Sequence, residues 1–172
     1  PEILEIGRQH GVDHCIKRPD ALASDTAPKI PAIQHCVQEV ERTTSLEFDV
    51  MVDLDVTSPL RSVEDIVGVV RLLEETGCSN VITGCQARRS PYFNLVEMND
   101  AGIVHLSKKL EKPVVRRQDS PKCFDMNASI YAWRRDAFWT GTTVFFPDTR
   151  LFVMPEDRSW DIDSPLDFQF VE

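Results

Sequence analysis

Two short stretches carry side chains that could do chemistry. The first is D-I-D-S-P, residues 161–165, in which Asp161 and Asp163 stand two apart. In an extended backbone residues i and i+2 point to the same side. The pair could then hold a hard cation such as Mg²⁺, which takes oxygen ligands and keeps several waters. The same letters also read as a helix start, with Ser164 as cap, Pro165 at the first helical position and Asp167 behind it. The second stretch is T-S-P-L-R, residues 57–61. Thr57 and Ser58 offer hydroxyls and backbone N–H groups near a helix start, and Arg61 adds a planar cation. Such a loop suits phosphate or carboxylate, and it equally suits an ordinary turn ahead of a helix. Two weaker candidates accompany these. Arg18 sits at the end of a strand candidate, with Asp25 ahead of a helix. The run from 108 to 122 holds Lys108, Lys109, Lys112, Arg116, Arg117 and Lys122 against Glu111 and Asp119; it reads as a solvated face or a binding arm.

Charge narrows the partners. The net charge is −9 and the pI about 4.9. A protein that grips nucleic acid or a membrane surface needs a basic face, so neither is expected. A local basic cluster can still bind a small anionic substrate. The cysteines, Cys15, Cys36, Cys78, Cys85 and Cys123, are odd in number and form no C-x-x-C pair. That pattern fits reduced thiols in a cytoplasmic protein. The histidines, His10, His14, His35 and His105, lack the spacing of a zinc site. No apolar run approaches the ~18 residues of a membrane span. The chain opens on Pro1 inside a helical pattern, and is expected to be a fragment or a processed chain.

The elements that must position these residues read as one α/β domain over 1–172. Residues 2–10 end a helix with Gly11 as its cap. V-D-H-C-I-K-R (12–18) is a strand candidate. Ile30, Ile33, Val37 and Val40 mark a helix face. F-D-V-M-V-D-L (48–54) is nearly continuous in apolar residues, as in a parallel strand buried on both faces. Ser62 and Asp65 form a capping box. Val63, Ile66, Val67, Val70 and Leu73 continue it as a helix that ends at Gly77. N-V-I-T-G-C-Q-A (80–87) is the next strand, completing a βαβ unit. A hairpin follows, turning at Asn99–Gly102. Residues 128–135 read as a strand, T-T-V-F-F-P and R-L-F-V-M-P as two more, and Ser164 opens a last helix. In such sheets ligands collect at the carboxyl ends of the parallel strands, which points at the loop after 48–54 and at the turn before the last helix.

The blocks R-P-D-A-L-A-S-D-T-A-P, T-S-P-L-R, R-S-P-Y-F-N-L-V-E, R-Q-D-S-P-K-C-F-D-M-N-A-S-I-Y and D-I-D-S-P-L-D-F occur in that order. Together they resemble the CMP-sialic acid synthetase family, the acylneuraminate cytidylyltransferases, from about Ile16 to Glu172. The wording is closest to members acting on bacterial nonulosonic acids of the legionaminic type. The resemblance implies a Rossmann-like three-layer sandwich with a mostly parallel sheet and a hairpin arm over 99–126 that joins a homodimer. It implies that CTP is joined to a nine-carbon acidic sugar with release of pyrophosphate, the anomeric hydroxyl attacking the α-phosphate. It assigns Mg²⁺ to Asp161 and Asp163, the cytosine end of CTP to Arg18, and base reading to the backbone at Ala27. The sugar would meet Asn127, the loop of Asp55, Thr57, Ser58 and Arg61, and the Arg117–Gln118 block, whose arginine the family takes from the partner subunit.

The departures from the family pattern are specific. Asp55-Val56 stands where many members have Gln-Pro, so Asp55 is expected either to recognise a different sugar substituent or to add a metal ligand. Asn127-Ala128 replaces the common Asn-Gly. Tyr92 and Phe93 follow Pro91 where some members place a lysine. The opening strand and the Gly- and Ser-containing triphosphate loop of the family have no counterpart, a block on the order of ~40–50 residues. Such a chain is expected to expose a sheet edge and to be poorly soluble or inactive alone. Other sugar nucleotidyltransferases such as a CMP-Kdo synthetase remain an alternative. So does a non-catalytic sugar-binding or dimerisation module.

Overall fold

The computed structural model describes residues 2–24, 26–112 and 116–172; Asp25 lies outside them. In chain order the elements are α1 (Glu2–Gln9), α2 (Lys29–Thr44), β1 (Val50–Leu54), α3 (Val63–Thr76) and β2 (Asn80–Gln86). They continue with β3 (Val96–Met98), β4 (Val104–Leu106), β5 (Phe124–Arg134), α4 (Arg135–Thr140), β6 (Arg150–Val153) and α5 (Pro165–Val171). Short 3-10 turns lie at Asp20–Leu22, Arg117–Asp119 and Glu156–Arg158.

The main sheet runs β1-β5-β2-β6. β5 pairs antiparallel with both β1 and β2, and β6 lies parallel to β2. Three strands therefore share one direction and β5 alone is reversed, which is the mostly parallel α/β sheet that the sequence implies. The β1-α3-β2 crossover spans the intervening β5. Side chains alternate across the sheet, so its two faces build two cores. Val81, Ile130 and Ala132 meet Val69 and Leu73 of α3 on one face. Met51, Ile82, Tyr131 and Trp133 meet Ile30 of α2 and Phe138 of α4 on the other. Helix, sheet and helix form the three layers.

α3 forms where its capping box is legible. Ser62 accepts from the Asp65 N–H, the Asp65 carboxylate accepts from the Ser62 N–H, and Gly77 closes the helix at φ 63°. The small sheet β3–β4 is the expected hairpin, with Met98 opposite Val104. Three expectations differ from the structure. Residues 12–18 form no strand, since none of the described strands pairs with them. T-T-V-F-F-P forms none either, because side chains take up its backbone. The Asn80 amide donates to Val144 O at 2.8 Å, and Thr149 Oγ1 accepts the Phe146 N–H at 2.6 Å. Finally, β1 is not buried on both faces. It stands at a sheet edge, and Val52 and Leu54 each remain 38% exposed. No helix among the described residues is long and apolar enough to cross a membrane.

Candidate active site

The carboxyl ends of β1, β2 and β6 lie at one end of the sheet, where β5 carries a bulge. β2 and β5 are in register at Ile82–Tyr131 and again at Gly84–Met126, so Asn127–Ile130 lie opposite Thr83 alone. One hydroxyl holds this bulge. Thr83 Oγ1 accepts the Ile130 N–H at 2.9 Å and donates to Asn127 Oδ1 at 2.7 Å. Gly84 is required beside it, because a Cβ there would stand 2.6 Å from the Asp125 carbonyl oxygen. Ala128 adopts φ 52°, a left-handed conformation that costs a residue with a Cβ roughly 1–2 kcal/mol. The Asn-Gly of the family would sit there without strain.

The T-S-P-L-R loop is anchored on that bulge. Ser58 is wholly buried, and its Oγ lies 3.1 Å from Asn127 O and 3.4 Å from Asp161 Oδ1. Arg61 Nη1 donates to three carbonyls, Asp55 O at 2.7 Å, Ser58 O at 2.6 Å and Ser129 O at 3.2 Å. That nitrogen shapes the loop instead of reaching for a ligand, and burial pushes the guanidinium's pKa down. Thr57 donates both its N–H and its hydroxyl to Asp55 Oδ1.

Asp55 has a second tie. Lys29 Nζ lies 3.0 Å from Asp55 Oδ2 and 2.8 Å from Asp53 Oδ2, and 4.5 Å from the Tyr131 ring centre. Partial burial alone would raise the Asp55 carboxyl. The ammonium of Lys29 and the Thr57 donors outweigh it and hold the carboxyl below its usual range. Burial would likewise depress Lys29, and the two carboxylates outweigh it and raise its pKa. Burial also pushes the Tyr131 phenol up. Neither Lys29 nor Asp53 stands out in the sequence. Their signals were an i, i+2 acid pair at a strand end and a cation in the first turn of a helix, where the dipole favours anions.

The D-I-D segment docks on the same loop. The Ile162 N–H donates to Thr57 O at 2.9 Å. Asp161 is half-buried and Asp163 exposed. Ser164 caps α5, with Asp167 Oδ2 accepting the N–H groups of Ser164 at 2.8 Å and Asp163 at 3.2 Å. The cap thus forms directly after Asp161 and Asp163. Among the described residues no group of three or more His, Cys, Asp or Glu side chains is arranged to hold a metal.

The remaining candidates spread outward. The Asn127 side chain is buried and spoken for, its Nδ2 3.0 Å from Ser159 Oγ and its Oδ1 bonded to Thr83 and to the Ser129 N–H. Arg117 Nη2 donates to Ala87 O at 2.9 Å. With Gln118, Arg89 and Lys122 it lines a cavity of about 380 Å³ at the end of β2. Arg18 lies exposed on the irregular segment 12–19, and its side chain bonds to none of the described residues. The Ala27 N–H is turned inward to Ser24 O at 3.0 Å. The structure thus gathers Asp55, Thr57, Ser58, Arg61, Asn127, Asp161 and Asp163, while Arg117 and Gln118 line the separate cavity.

No family model matches the chain. Curated proteins do. The chain is 42% identical over 171 residues to post-translational flagellin modification protein B of Campylobacter coli, covering 99% of this chain and 72% of the relative. It is 41% identical, with the same coverage, to CMP-N,N'-diacetyllegionaminic acid synthase of Campylobacter jejuni. Among solved structures, CMP:2-keto-3-deoxy-manno-octonic acid synthetase complexed with CTP superposes with a TM-score of 0.59 at 15% identity, over 99% of this chain and 75% of that one. At that identity the likeness speaks for the fold alone.

Proposed function

The chain belongs to the CMP-sialic acid synthetase family, the acylneuraminate cytidylyltransferases, and from that premise we propose that it joins CTP to a legionaminic-type nonulosonic acid, giving the CMP-sugar and pyrophosphate. The observation that carries this reading is the docking of the D-I-D segment on the T-S-P-L-R loop, through Ile162 to Thr57 and Ser58 to Asp161. It seats Asp161, with Asp163 two residues on, at the carboxyl end of β1, where ligands of such sheets collect.

The donor chemistry of Asp161 and Asp163 fits Mg²⁺. This ion is commonly held by one or two carboxylates together with substrate phosphates and water, so the lack of a third protein ligand among the described residues is no obstacle. When bound, the ion would neutralise charge on the reacting phosphate. The chain's own residues orient the partners. Arg61 and Asp55 fix the loop, and its fixed shape lets binding energy go into alignment. Asp55 is occupied on both oxygens, by Lys29 and by Thr57. That favours a loop-shaping role for Asp55 over metal ligation.

The sugar's carboxylate finds cationic partners around the cavity of Arg89, Arg117 and Lys122. A homodimer assembled through 99–126 would bring a partner's arm to it. The exposed apolar residues Val96, Met98, Ile103 and Val104 on the hairpin support such a contact. The free cysteines and the proposed nucleotide substrate support a cytoplasmic location.

The test, made on the full-length protein with its triphosphate loop, is pyrophosphate release from CTP and Mg²⁺ with N,N'-diacetyllegionaminic acid, sialic acid or Kdo in separate reactions. Release is expected with the legionaminic acid, and Asp163→Ala should lower it by at least about 100-fold. Release with Kdo alone would reassign the sugar. A folded dimer that binds a sugar and releases nothing would make the chain a binding module.

A further inference from the structure

The segment that carries Asp161 and Asp163 has no regular structure between the end of β6 and the cap of α5 apart from one 3-10 turn. Its position must therefore come from individual contacts. One of these is bidentate and buried on its acidic side, the Arg158 side chain staying 36% exposed. Arg158, three residues before Asp161, donates from Nε and Nη2 to the two oxygens of Asp65, each at 2.9 Å. Asp65 is only 3% exposed. The same carboxylate is already the N3 member of the α3 capping box, accepting from the Ser62 N–H at 2.9 Å. Helix α3 needs only the cap, and a capping carboxylate is normally left at the surface. Here it is taken out of water and matched to an arginine fork.

Burying the carboxylate costs desolvation that offsets the attraction, so the pair is weak evidence for stability; the best-attested use of such pairs is to fix one geometry against others. What this pair fixes is the start of α3 against the D-I-D approach. The T-S-P-L-R loop runs directly into α3 through Ser62. The contact ties both sides of the candidate site to one helix N-terminus, and Ile162–Thr57 and Ser159–Asn127 complete the attachment.

We propose that Arg158 and Asp65 are positioning residues, a latch that sets the distance between the Asp161–Asp163 pair and the T-S-P-L-R loop. The proposal rests on the cytidylyltransferase reading. It predicts a loss in turnover and not in nucleotide binding, since the two side chains are taken up by each other. A misplacement of about 1 Å at a reacting centre costs on the order of 100-fold in rate.

The experiment compares the full-length parent protein with Arg158→Lys, Arg158→Met and the double change Asp65→Asn with Arg158→Met. Two quantities are read at a temperature where circular dichroism shows every variant folded. One is kcat and KM for CTP; the other is amide hydrogen exchange at Ile162, whose N–H bonds to Thr57 O. For Arg158→Met, kcat is expected to fall about 100-fold with KM within threefold, and Ile162 to exchange at least tenfold faster than amides of β2. Arg158→Lys should recover part of both. The double change removes the stranded charge, so its melting temperature should return towards the parent while kcat and Ile162 stay impaired. If the double change restores both, or if kcat and Ile162 are unmoved in Arg158→Met, the latch is overturned. A parent chain that makes no pyrophosphate with any of the sugars would sink the enzyme reading instead. The exchange result would still be read on its own.

Discussion

The two helical layers grip the sheet differently. α3 puts Val69 and Leu73 wholly out of water, and both its ends are closed, by the Ser62–Asp65 box and by Gly77. α2 is longer, yet it buries only Ile30. Its first turn has no side-chain cap and begins with Lys29, a cation where the helix dipole prefers an anion. The difference teaches where each layer spends its chemistry. α3 is consistent at every level and serves as the anchor for loop and D-I-D segment alike. α2 breaks its own local preference at the point where it meets the cleft. Such local conflicts are expected at functional positions.

The contrast can be broken by core truncation. Leu73→Ala should cost about 4 kcal/mol, at the upper end for a buried leucine, while Val37→Ala on the half-buried α2 face should cost about 1 kcal/mol in urea titrations. Equal costs would erase the distinction between the layers. Acid titration sharpens it next. Arg158, and then Ser62, hold the Asp65 carboxyl below its usual range against the opposing effect of burial. Its contribution is therefore complete above the unfolded value near ~3.9 and fades as pH falls through the lower folded value. In Asp65→Asn the stability curve should flatten below about pH 4, and an unchanged acid limb would show that the pair carries no linkage.

On the α2 side the sign reverses. Its two carboxylates raise Lys29 despite burial, so its contribution is full below the unfolded value near ~10.4 and is lost as pH rises through the folded one. Lys29→Met should leave Asp55 with only its Thr57 donors and move its carboxyl titration upward, as followed by carbon-13 NMR. An unmoved Asp55 would mean that Thr57 alone sets it. The smallest effect expected is a gain. Ala128→Gly should stabilise the chain by about 1 kcal/mol, the relieved left-handed strain less the entropy of glycine.

Local signals made much of this legible. The cap at Ser62, Gly77 at the end of α3, the Asn99–Gly102 turn and the Ser164–Pro165 start each depend on neighbours within four residues. The T-S-P-L-R and D-I-D blocks were legible as chemistry because residue type and spacing both matter there. That they touch could not be read from either block. Arg158 and Asp65 lie 93 positions apart, and nothing in one sequence pairs them. Lys29 carried no signal of its own, and β1 places Asp53 and Asp55 beside it. The T-T-V-F-F-P segment misled because its β-branched and aromatic residues favour a strand, while Asn80 and Thr149 supply its hydrogen bonds instead. β1 misled for a related reason. An apolar run says that a strand is buried somewhere, not how many neighbours it has.

The reversed strand also dictates an order of events. β1 and β2 are laid down within residues 50–86, but neither pairs with the other; both wait for β5 at residues 124–134. Loop closure over that separation precedes any reward from the sheet, a condition that slows folding. Until β5 joins them, β1 and β2 do not pair with each other, and the edges they turn to β5 stay open to other chains. β5 is thus the strand that joins β1 to β2, and it arrives after both.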